Sequence, residues 1–132
     1  MDIAQEQFES YVRIAIDNIP SVYRDKLDNV TFRTEKEPSP AQRQSLGLRP
    51  CDALYGLYEG VPLPRRNGTT HLILPDTITI FMHPMTHHFN DQKSLQRQIY
   101  KTIWHEVAHY FGLGHDRIHA VESSLKQHPD ND

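Results

Sequence analysis

Cysteine is almost missing from this chain: 132 residues contain one, Cys51. No internal disulfide can form, so a reducing compartment suits the composition best. Long apolar runs are missing too, since nothing approaches the ~20 residues of a membrane-spanning helix. The opening "MDIAQEQFES" has neither a basic region nor the apolar core of an export signal. These absences predict a cytoplasmic globular protein with no membrane partner. There is no excess of positive charge either, because 14 Lys and Arg meet 17 Asp and Glu, giving −3. The electrostatic footprint that nucleic acid requires is therefore absent. Internal repeats and low-complexity tracts do not occur. What is present is 37% hydrophobic and 23% charged residues, enough for one domain with its own core. The expected domain is 1–125, followed by a polar tail at 126–132.

Residues 3–19 place Phe8, Tyr11, Val12, Ala15, Ile16 and Ile19 at spacings of three and four, an amphipathic helix that Pro20 stops. "NVTFRTEKE" (29–37) alternates like a strand, and the proline-rich 38–50 predicts a loop with room for one helical turn. "ALYGLYEG" (53–60) is β-prone, with Gly56 and Gly60 marking a bulge or a close backbone approach. "VPLPRRNG" (61–68) predicts a linker. "THLIL" (70–74) and "TITIF" (77–81) suggest a hairpin around Pro75 and Asp76, and "HPMTHHF" (83–89) looks irregular. Asn90 suits a helix cap, with Asp91 in the first turn of a long helix reaching about Phe111. Gly112 and Gly114 end it, and "HDRIHAVESSLKQ" can form a last helix. The order predicts an α+β fold: a small mixed sheet packed against the long helix, an N-terminal helix and a short C-terminal one.

"HEVAHYFGLGHD" (105–116) crowds three histidines and two carboxylates into twelve residues. On a wheel of about 100° per residue, Leu95, Ile99, Tyr100, Ile103, Trp104, Val107, Ala108 and Phe111 fill one broad arc. His105 and His109 fall outside it, one turn apart, so their ring nitrogens can converge on a single ion. Glu106 is rotated by about 100° from His105, a place from which it serves the ion's water rather than the ion. Gly112 lets the chain leave the helix with a positive φ and return His115. Three neutral ligands with a free fourth position make an open metal site. A bare HExxH arises by chance in roughly a few per cent of shuffles of such a composition, and adding Gly112 and His115 lowers that to about one in ten thousand.

This long pattern resembles that of the metzincins. A wider resemblance, carried by "LYGLYEGVPLPRR" (54–66), "LPDTITIF" (74–81) and "WHEVAHYFGLGHDRI" (104–118), is to the small bacterial zincin-like proteins regarded as possible zinc metallopeptidases. It implies a minimal zincin fold in which His105 and His109 bind one zinc and Glu106 is the catalytic residue. In several members the third-ligand region is acidic, so His115 and Asp116 are both candidates, and spacing favours His115. The methionine turn of metzincins has no counterpart, because Met1, Met82 and Met85 all precede the motif.

The expected activity is zinc-dependent hydrolysis of a peptide or protein substrate with Glu106 as general base. The alternative is a non-catalytic zinc-binding or regulatory module that retains the site. Both "TITIF" and "ALYGLYEG" are expected first as core-packing strands, with pairing of a peptide to one of them as a sheet edge the lesser option. Tyr55 and Tyr58 are candidate oxyanion donors, whereas Tyr110 points away from the histidine pair. Cys51 is expected to be a small buried thiol. His83, His87 and His88 are expected on a solvated loop, with a second metal or substrate patch as the minority possibility. His119 and the Arg65–Arg66 pair are expected at the surface.

Overall fold

The computed structural model describes residues 1–60 and 75–113. Helix α1 (Gln5–Asp17) buries Phe8, Tyr11, Val12 and Ala15, the stripe that the spacing predicts. A short α2 (Ser21–Arg24) starts directly after Pro20. Strand β1 (Val30–Glu35) leads through α3 (Pro40–Ser45) to β2 (Gly56–Glu59), and β3 (Asp76–Phe81) runs straight into α4 (Met82–His88). Helix α5 (Gln92–Tyr110) completes the described chain. The architecture is α+β, as expected.

The sheet is mixed, with strand order β1-β3-β2. β1 pairs with β3 in parallel, from Val30 opposite Asp76 to Glu35 opposite Phe81. β2 pairs with β3 antiparallel, from Gly56 opposite Ile80 to Glu59 opposite Thr77. β3 is therefore central, and five of its six residues are buried. β1 alternates half-buried and exposed residues, the pattern of a strand with one solvated face. The core lies between this sheet and the helices, where Ile78 and Ile80 meet Phe8 and Val12 of α1 and Leu95, Ile99, Ile103, Trp104 and Val107 of α5. Tyr23 after Pro20 closes one end, its ring edge-on to Trp104 at 4.8 Å.

Four expectations need correction. Residues 82–88 are helical: Met82, Met85 and Thr86 are buried at spacings of three and four. Pro84 falls in the first turn, where a missing N–H costs no intrahelical bond. The cap of the long helix is Asp91, not Asn90, with its carboxylate accepting from Ser94 N–H at 2.8 Å. That bond holds the Asp91 carboxyl below its ordinary pKa. Cys51 is exposed, at a turn that Arg49 N–H closes by donating to Asp52 Oδ2. "TITIF" offers no edge to a peptide, since β1 and β2 occupy both sides of β3. Residues 70–74, expected to form a hairpin with it, lie outside the described residues, as does the expected last helix. In the 38–50 loop the helical turn is α3, closed by a capping box between Ser39 and Gln42.

Candidate metal centre

Helix α5 is anchored as the wheel predicts: Leu95, Ile99, Ile103, Trp104, Val107 and Ala108 are fully buried. That leaves His105 and His109 half-buried on one flank. Their rings meet edge to face with centroids 4.5 Å apart. Between them sits Glu106, only 6% exposed. One ligand atom from each of the three lies within 4.8 Å of the others, so the cluster could hold a metal ion.

A buried carboxylate must be bonded or neutralised, and Glu106 has both means at hand. Its Oε1 accepts from the backbone N–H of Tyr58 on β2 at 2.9 Å, and the same oxygen lies 3.2 Å from Nδ1 of His109. That hydrogen bond, with the carboxylate's charge adding to it, raises the His109 pKa above 6.5 against the opposing effect of burial. Oε2 has no hydrogen-bond partner among the described residues.

Gly56 makes this contact between strand and helix feasible. A Cβ there would sit 2.6 Å from Cγ2 of Thr102 and 3.3 Å from Cγ of Glu106. Any side chain would push β2 off α5, so the close backbone approach expected at this glycine is real. At the far end, Gly112 has φ of 70°, as expected. Its N–H donates to His109 carbonyl at 2.9 Å, and Leu113 N–H donates to Ala108 carbonyl at 3.0 Å. These two bonds form a Schellman motif that closes the helix one turn after His109 and two turns after His105.

A cleft of about 370 Å³ opens beside the cluster, lined by Tyr55, Gly56, Lys101, Thr102, His105 and Glu106 among others. The Tyr55 hydroxyl lies 2.6 Å from Nδ1 of His88 at the end of α4, and burial pushes its pKa up. Tyr58 is differently committed: its hydroxyl donates to buried Asp76 at 2.6 Å. Tyr110 is fully buried, and its hydroxyl accepts from Asp28 N–H at 3.1 Å, away from the histidines. Of the two candidate oxyanion donors, only Tyr55 lines the cleft.

The match of the zincin-like metallopeptidase family model over residues 27–125 covers most of the chain, including both histidines and Glu106. The protein belongs to the zincin-like metallopeptidase family. The fold agrees: a conserved hypothetical protein from Thermus thermophilus superposes with a TM-score of 0.52 at 17% identity. That alignment covers 95% of this chain and 100% of the other. No curated protein matches the chain. Within the zincin-like frame, the structure brings together His105, Glu106 and His109. The expected third ligand His115, its alternative Asp116, His119, Arg65 and Arg66 lie outside the described residues.

Two contributions to the site were not foreseen from sequence. One is the Tyr58 amide, whose role depends on the register of β2 and leaves no side-chain signature. The other is His88, which reaches Tyr55 only because 82–88 is helical; the buried spacing of Met82, Met85 and Thr86 was the available signal.

Proposed function

We propose that this zincin-like protein is a zinc-dependent metallopeptidase acting on peptide or protein substrates. One observation carries the proposal: two imidazoles converge with a nearly buried carboxylate, and one of them, His105, lines an open cleft together with that carboxylate. The donor set fits zinc, which takes imidazole and carboxylate ligands and keeps one position open in catalytic sites. His105 and His109 would hold it, with His115 as the third ligand. When bound, zinc supplies Lewis acidity and a water acidified towards a pKa of ~7.

The protein's own groups divide the remaining work. Tyr58 N–H fixes Oε1 of Glu106 and so orients the carboxylate plane. Oε2 remains to accept a proton from the attacking water and return it to the leaving amine, the part of a general base and then acid. β2 is an edge of the described sheet. An extended peptide would lie along it, over the cleft, in the manner of strand addition.

Glu106→Gln tests the assignment. Glutamine keeps an acceptor oxygen for the Tyr58 amide and nearly the same shape, but it cannot take a proton. The expected result is unchanged zinc content with cleavage of a library-selected peptide reduced by about 10²–10⁴-fold. Equal cleavage with zinc intact would remove Glu106 from the mechanism. If neither protein cleaves any peptide while both hold zinc, the non-catalytic zinc-binding module takes its place.

A further inference from the structure

We propose a second divalent-metal site apart from the α5 cluster, built by His83 and His87 of α4 with Glu37. The α4 helix puts residues four apart on one face, and the rings of His83 and His87 stand edge to face with centroids 6.2 Å apart. Glu37 comes from the segment after β1, and its Oε2 lies 3.6 Å from Nδ1 of His83. This meeting is fixed by backbone: His83 N–H donates to the carbonyl of Lys36 at 3.0 Å, so the start of α4 and the residue before Glu37 are tied together. His83 thus stands beside both His87 and Glu37, and none of the three belongs to the α5 cluster.

The chemistry selects the ion. Two imidazoles and one carboxylate suit zinc, nickel, cobalt or copper, whereas magnesium and calcium prefer oxygen ligands throughout. A carboxylate beside one ring nitrogen also orients a ligating imidazole. The side chains of His83 and Glu37 are 40% and 70% exposed, and His87 is exposed. Rings placed so can turn between rotamers about χ1 and χ2, which lets the pair close onto an ion without a change of backbone. A hydrated ion can therefore reach the donors without opening the fold, with water completing its coordination.

The site is tested in full-length protein carrying His105→Ala and His109→Ala, by equilibrium dialysis against zinc followed by elemental analysis. This background isolates it from the proposed peptidase centre, so either assignment can fail without the other. One equivalent of zinc should remain, and adding His83→Ala with His87→Ala should remove it. Glu37→Gln in the same background should weaken binding by about 10–100-fold, the range for losing a partner of a ligating histidine. A double variant that binds no zinc would overturn the proposal. So would one whose zinc survives the α4 substitutions. Copper(II) titration of the wild type gives a second measurement: amide resonances of His83 and of 85–87 should broaden, and their persistence while other regions broaden would equally sink the site.

Discussion

Helices α5 and α4 each carry a pair of histidines four residues apart, yet the two pairs are built differently. On the 19-residue α5, the rings are 4.5 Å apart and the neighbouring carboxylate is nearly buried, held by a strand amide. On the seven-residue α4, the rings are 6.2 Å apart and the carboxylate is exposed, tied to its histidine only at 3.6 Å. Spacing alone therefore places two imidazoles on one face. What separates the α5 cluster is preorganisation: a helix locked by the core and a carboxylate whose orientation is set before any ligand arrives. A prepared site loses less ordering free energy on binding, and so gains affinity from the same donors.

The sharpest way to break the contrast is at Gly56. Gly56→Val drives a branched side chain into Thr102 and Glu106. Overpacking of this kind costs about 1–3 kcal/mol, and Glu106 should lose its grip on the Tyr58 amide. The expected outcome is weaker zinc binding at α5 with no change at α4, read by dialysis in variants that keep only one pair. Equal loss at both would show that the strand contact has no special part in the α5 site.

A smaller effect is expected at the end of the helix. Gly112→Ala must hold φ near 70° with a Cβ, which costs about 1–2 kcal/mol. Thermal unfolding should shift down, and His109, one turn away, should become more mobile on the NMR timescale. α4 has no such left-handed closing residue, since Phe89 is extended.

The smallest effect separates the two pairs by pH. In metal-free protein, the raised pKa of His109 means that its bond to Glu106 stabilises the fold below the unfolded value of 6.5. That contribution is lost as pH rises through the folded value. Glu106→Gln should therefore lower denaturant stability on the acid side of 6.5 and change it little well above. Zinc affinity at α5 should fall on the same acid side, because the ion displaces a proton from His109. A Glu106→Gln penalty that is equal at all pH values would show the bond to be indifferent to the charge of His109.

How legible was this in the sequence? The core face of α5, the strands at 30–35 and 76–81 and the positive φ of Gly112 all follow from local periodicity and backbone chemistry. So does the pairing of His105 with His109. What was hidden depends on register and tertiary context. That β3 is central, and so cannot receive a peptide, follows from which strands flank it rather than from its own residues. The helix at 82–88 was obscured by Pro84 and three histidines, and its only sign was the spacing of Met82, Met85 and Thr86. Glu106 was expected to serve a water; its anchorage on Tyr58 could not be read, since a backbone amide is the same at every position.

That anchorage makes one amide a gauge of the site. Exposed edge-strand amides ordinarily exchange their hydrogens with solvent quickly, because nothing holds them. The Tyr58 amide is held by a side chain from another element, so it exchanges only as often as the Glu106 carboxylate lets go. Its deuterium uptake therefore reports the free energy of releasing the carboxylate, peptide or no peptide, in a protein whose chemistry need not yet be assayed.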